Sequence, residues 1–198
     1  MAGKLETSSE EVASEEKREM PMEEQLLFKS RQVLIFGEID DAQARAVCRR
    51  LLALDAQSHD PVTIFVSSPG GHVESGDAIH DMIRFVSSPV TMVGTGWVGS
   101  AAAHIFLAGE KARRLCLPNT RFLIHQPAGG AGGQATDIAI QAEQIIKMRE
   151  RLARVIAERT GQPIERVAKD IERDYWMDTE QAMEYGLISR VIESAGEL

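Results

Sequence analysis

The sequence predicts an α/β fold. Three observations carry that expectation. Short apolar runs rich in β-branched and aromatic residues recur at Gln32–Phe36, 62–66 and 90–94. Between them lie segments whose apolar residues repeat at helical spacing, such as Ala44, Val47, Cys48, Leu51 and Leu52. Two of the strands run straight into a glycine-rich bend that opens a helix, at Ser67-Ser68-Pro69-Gly70-Gly71 and at Gly94, Gly96 and Gly99 before Ser100. Strands that alternate with helices almost throughout build a parallel-rich sheet with helices packed on it.

The chain, 198 residues long, is expected to form one domain with a proper core over residues 25–198. Residues 1–24 differ: eight Glu stand against Lys4, Lys17 and Arg18, so they carry −5 of the net charge of −8. They hold almost nothing large and apolar, and they predict a disordered acidic arm. No apolar run is long enough for a membrane span, and no apolar stretch marks a secretory signal. Cys48 and Cys116 sit in apolar patterns without paired spacing, which predicts free thiols and a cytoplasmic setting. The acidic balance, without a basic cluster, argues against a nucleic-acid partner.

Taken in order, strand 32–36 leads to a helix over 41–58, capped by Asp40 or Asp41 and broken by His59-Asp60-Pro61. Strand 62–66 and the Pro-Gly-Gly turn open a helix over 74–85. Ser88-Pro89 starts strand 90–94, and a small-residue helix runs from Ser100 to Gly109. Residues 112–117 and 121–125 predict two strands around a turn at Pro118-Asn119, with Gln126-Pro127 ending the second. The four glycines of 128–134 predict a loop or flexible hairpin. A long helix over 136–159 sets Ile138, Ala142, Ile145, Leu152 and Val155 on one face and meets a left-handed stop at Gly161. Pro163 starts a helix to about Arg173, 179–185 forms another, and 187–192 suggests a closing strand.

Ser100 has two readings. Its hydroxyl can cap the helix that follows. It can also be a nucleophile, because a helix N-terminus offers free N–H donors to an oxyanion. Of the five histidines, His59 and His80 read as surface residues, His72 as a turn residue, and His104 as packing one turn beyond Ser100. His125 differs, because it ends a strand directly before a proline and a glycine loop, where α/β folds gather catalytic groups. A serine, a histidine and a later acid are the parts of an acyl-transfer site. The order Ser, His, Asp matches none of the chymotrypsin, subtilisin or α/β-hydrolase orders, and a G-x-S-x-G elbow is absent. No Walker loop, dinucleotide fingerprint or paired Cys/His spacing is present, so no cofactor or metal is expected.

Six motifs, in order, give the chain a resemblance to the Clp protease proteolytic subunit (ClpP) family from about Leu26 to Ile192. They are Ser68-Pro69-Gly70-Gly71, Gly99-Ser100, Cys116-Leu117-Pro118-Asn119, Ile124-His125-Gln126-Pro127, Gly133-Gln134-Ala135-Thr136-Asp137, and Glu172-Arg173-Asp174-Tyr175-Trp176-Met177 with Glu184-Tyr185-Gly186-Leu187-Ile188 beyond it. The resemblance implies the α/β spiral of the ClpP and crotonase superfamily, with a protruding handle helix and hairpin at about 126–160. It implies a serine endopeptidase in which Ser100 is the nucleophile, His125 the base and Asp174 the orienting acid. The backbone N–H groups of Gly71 and Ala101 would form the oxyanion hole.

It also implies a homo-oligomer of two stacked heptameric rings, fed with unfolded protein by an ATPase unfoldase. The sequence departs from the family where Ala101-Ala102 follow the serine instead of Met-Gly. It departs again where Trp97 and His104 replace small or apolar residues, and where Thr63 and Phe65 replace tyrosines that help dock the ATPase. Two alternatives stand beside this reading: a catalytically silent ring subunit, and an acyl-CoA hydratase or isomerase on the crotonase fold.

Overall fold

The structure, a computed structural model, describes residues 21–130 and 132–198. It has the expected α/β architecture. Strands β1 (Gln32–Phe36), β2 (Val62–Ser68), β3 (Val90–Gly99), β4 (Arg114–Cys116) and β7 (Arg190–Val191) lie side by side in that order, all parallel. β5 (Arg121–Ile124) pairs parallel with the far end of β3, and β6 (Tyr175–Met177) pairs antiparallel with β5. Helices α1 (Met22–Lys29), α2 (Asp41–Gln57), α3 (Val73–Phe85), α4 (Ala101–Phe106), α5 (Ala135–Thr160), α6 (Ile164–Asp170) and α7 (Thr179–Tyr185) complete the chain. One main core joins Val33, Ile35, Ile64 and Val66 of the sheet to Leu51, Leu54, Ile79, Ile105 and Phe106 of the helices.

The glycines expected to end the third strand do not end it. β3 runs on through Gly94, Gly96 and Gly99. Its register against β2 jumps from Val66 opposite Gly94 to Ser68 opposite Val98, with Gly96 in the left-handed region at φ 63°. Extra residues on one strand bend it and increase its twist. The bent strand therefore serves two neighbours: Met92–Gly94 pair with β4, and Trp97–Gly99 pair with β5. For the same reason, the strands expected over 112–117 and 121–125 do not pair with each other across Pro118-Asn119. Both align on β3.

Other expectations shift locally. Asp40, rather than Asp41, caps α2, its carboxylate accepting the Gln43 N–H at 2.7 Å. Leu54 is buried in that helix, whereas Leu52 is exposed and Cys48 only half-buried. His80 is not a surface residue: it is 7% exposed and packs under α4. On α5 the expected apolar face is exposed at Ile138 and Ala142 and half-buried at Ile145, Leu152 and Val155, and the fully buried positions are Ala153, Ile156 and Thr160 near its C-terminus. Gly161 is left-handed at φ 83°, as expected, and α6 ends early at Asp170. Among the described residues of 128–134 no strand forms, so the segment is a loop there. The acidic arm lies outside the described residues as far as residue 20, and α1 takes in Met22, Glu23 and Glu24.

Candidate active site

Ser100 joins β3 to α4 and has φ 53° and ψ −122°, one of two non-glycine residues with positive φ among those described. Its side chain makes no capping bond to α4, so the cap reading fails. Its N–H donates to the Leu123 carbonyl of β5 at 2.9 Å. That bond ties the serine to the strand that carries His125 just beyond its end. The serine hydroxyl lies 2.7 Å from His125 Nε2, and His125 Nδ1 lies 2.9 Å from Asp174 Oδ1. The sheet explains the second contact. β6 pairs with β5 so that Tyr175 faces Ile124, which brings the preceding Asp174 beside the following His125, 49 positions away in the chain. The Gln126 N–H and side-chain amide bond the carbonyls of Ile171 and Glu172, pinning the segment that leads to Asp174.

The turn Ser68-Pro69-Gly70-Gly71 presses on the same point. Gly70 and Gly71 have φ of 104° and 149°, accessible to glycine at little steric cost. A Cβ on Gly70 would stand 2.6 Å from Ser100 Cβ and 3.0 Å from the Ala101 nitrogen. A Cβ on Gly71 would stand 2.3 Å from the Ile39 carbonyl oxygen. The turn is held by Ile39, whose N–H donates to the Gly70 carbonyl and whose own carbonyl accepts the His72 N–H, both at 2.8 Å. A hydroxyl, an imidazole and a carboxylate in one hydrogen-bonded line, under a turn without side chains, can carry out acyl transfer.

A model of the Clp protease family matches residues 14–195. This chain belongs to the Clp protease family. Membership makes it a peptidase. The chain is 52% identical over 193 residues to "ATP-dependent Clp protease proteolytic subunit 3" of Rhizobium etli, covering 96% of this chain and 100% of that one. It is 62% identical over 174 residues to "ATP-dependent Clp protease proteolytic subunit 2" of Gluconobacter oxydans, covering 87% of this chain and 78% of that one. The structure of ClpP1 from Listeria monocytogenes superposes with a TM-score of 0.81 at 48% identity, over 89% of this chain and 99% of that one.

Within this Clp protease chain, a small cavity of about 30 Å³ opens beside Ser100 and His125. Its walls come from α3, α4, α5 and Pro127. His104, expected as packing, is 8% exposed and donates from Nε2 to Asp77 Oδ1 at 3.0 Å. Its ring stacks on His80 with centroids 4.3 Å apart and planes 10° apart. Burial raises the Asp77 carboxyl pKa, but hydrogen bonds from His104 and Arg151 outweigh it and hold the group below its ordinary value. His72, expected as a turn residue, follows the Gly70-Gly71 turn, bonded to Ser75 and beside Asp41 and Glu74. Asp77 and Arg151 escaped sequence reasoning. Only their partner His104 broke an apolar pattern, and nothing in the spacing linked three separate helices. Among the described residues no helix is long and apolar enough to cross a membrane.

Proposed function

We propose that the chain is the proteolytic subunit of an ATP-dependent Clp protease and a serine-type endopeptidase. Ser100 is the nucleophile, His125 the general base and Asp174 the acid that orients it. The observation that carries this is the continuous line from Ser100 Oγ through both His125 nitrogens to Asp174 Oδ1, at 2.7 and 2.9 Å. The Ser100 oxygen attacks the scissile carbonyl carbon while His125 Nε2 takes the hydroxyl proton. Asp174 on Nδ1 stabilises the imidazolium that forms. The carbonyl oxygen becomes an oxyanion, and the backbone N–H groups of Gly71 and Ala101 receive it. The Gly70-Gly71 turn lying against Ser100 and Ala101 supports that assignment. The tetrahedral species collapses as His125 returns its proton to the leaving amine, leaving an ester on Ser100. Water, with His125 again as base, then releases the acid and restores the serine.

In this reading two stacked heptameric rings enclose these sites and an ATPase unfoldase serves them; family membership and the relatives' names support an ATPase-linked ring assembly. A cytoplasmic setting fits Cys48 and Cys116, which are both free. The complete hydrogen-bonded line weighs against a silent subunit. The curated relatives weigh against an acyl-CoA hydratase or isomerase.

The test is labelling of the purified protein with a fluorophosphonate, followed by peptide mapping. The adduct is expected on Ser100. Ser100→Ala should abolish labelling and lower peptidase activity by about 10³-fold or more, since losing a triad member costs that much. An adduct on Ser67, Ser68 or Thr95 instead would overturn the assignment.

A further inference from the structure

The cavity beside Ser100 has two kinds of wall. Val73, Met148 and Leu152 make one apolar, and Met148 is flexible enough to fit several shapes. Asp77 of α3, His104 of α4 and Arg151 of α5 make the other polar. The polar groups are closed on each other. Asp77 Oδ1 accepts from His104 at 3.0 Å, and Oδ2 accepts from Arg151 Nη2 at 2.5 Å. The stack on His80 fixes the His104 ring, and its other nitrogen, Nδ1, is buried without a hydrogen-bond partner. The ring is therefore held with Nε2 aimed at the carboxylate. Both carboxylate oxygens are occupied, and the carboxylate and guanidinium charges cancel.

Given the serine-peptidase reading, on which this inference rests, the cavity receives the side chain of the residue that supplies the scissile carbonyl. We propose that Asp77, Arg151 and His104 set the charge selectivity of this subsite. Their closed pair keeps the cavity neutral, so it takes uncharged side chains, and removing one partner selects the charge that the other then lacks. A lysine entering the cavity meets no net negative charge, because Arg151 offsets Asp77. A glutamate meets no net positive charge, because Asp77 offsets Arg151. Either would lose hydration without an opposite net charge to repay it. A leucine or methionine loses nothing polar and gains apolar contact. Arg151 is 49% exposed along its side chain, so replacing it leaves the core packing alone and frees the half-buried carboxylate.

The experiment uses the assembled full-length protein and fluorogenic peptides that differ only in the residue before the scissile bond: Leu, Gln, Lys or Glu. Rates are expressed as kcat/KM per phosphonate-titratable Ser100. Wild type should cleave Leu and Gln peptides well and both charged ones poorly. Arg151→Gln should raise the Lys-to-Glu ratio by about tenfold or more, and Asp77→Asn should lower it by a similar factor, as a charge-assisted hydrogen bond gained or lost requires. The double variant should return the ratio to within about threefold of wild type, because charge is balanced again. A wild type that cleaves Lys or Glu peptides as fast as Leu overturns the proposal. So do single variants with titratable Ser100 and an unmoved ratio. A wild type without any titratable Ser100 overturns the peptidase assignment itself.

Discussion

Ser100 holds a backbone conformation that costs a non-glycine residue on the order of 1–3 kcal/mol. It persists because the Leu123 carbonyl takes its N–H and the Gly70-Gly71 turn closes over it. Gly70→Ala tests that arrangement. The new Cβ would fall 2.6 Å from Ser100 Cβ in a residue already at φ 104°, so one of the two must move. A shift near 1 Å in the serine lowers kcat/KM by about 10²-fold, and phosphonate labelling should slow in step. Unchanged kinetics would show that the turn does not bear on the serine. Residue types alone left Ser100 open between cap and nucleophile. The positive φ and the absent capping bond decide between them, and neither can be read from glycine spacing. Asp174 was legible only through the resemblance, because nothing in its neighbourhood marks a chain partner 49 positions away.

At the scale of elements, strands rich in Val and Ile and helices with apolar repeats were legible, since local pattern and burial agree there. β3 was read too short because its glycines bend the strand instead of ending it. β6, three residues long, has no period to detect, and it exists because β5 offers it an edge. The His80–His104 stack joins α3 to α4 and was invisible to periodicity. Burial, reinforced by His104, pushes the His80 pKa down to about 4 from 6.5, with Asp81 partly opposing and Arg84 adding to the shift. Between those values the unfolded chain binds a proton that the folded chain refuses, so stability rises with pH. This contribution is complete above about pH 6.5 and fades as pH falls toward about 4. His80→Phe keeps a ring against His104 and removes the titration. Its melting temperature should fall less than that of wild type between these pH values. Parallel curves for the two proteins would refute the role given to His80.

The whole molecule carries more exposed apolar surface than its own chain can cover. α5 has 26 residues, so it is about 39 Å long at 1.5 Å per residue. Its buried positions, Ala153, Ile156 and Thr160, all lie toward the C-terminal end. Ahead of them Ile138, Ile140 and Ile146 are 41%, 54% and 57% exposed. Elsewhere Leu34 and Phe36 lie exposed on the edge strand β1, and Phe85 ends α3 at 76% exposure. Single exposed apolar residues are ordinary, but three isoleucines along one projecting helix mark a surface meant for a partner. We propose that the partner is a second copy of the chain, with α5 as the joint between rings. Light scattering at micromolar concentration should therefore give a mass far above the 21.8 kDa of one chain. Ile140→Glu combined with Ile146→Glu places like charges on both sides of such a joint, and should reduce the mass to smaller species. The helical signal in circular dichroism should stay unchanged, because neither side chain is buried in its own subunit. Peptidase activity should fall together with the mass if stacking of the rings holds the site in its working geometry. A wild-type protein that runs as a clean monomer would remove the basis for a compartment. A double variant of undiminished mass would move the joint away from α5.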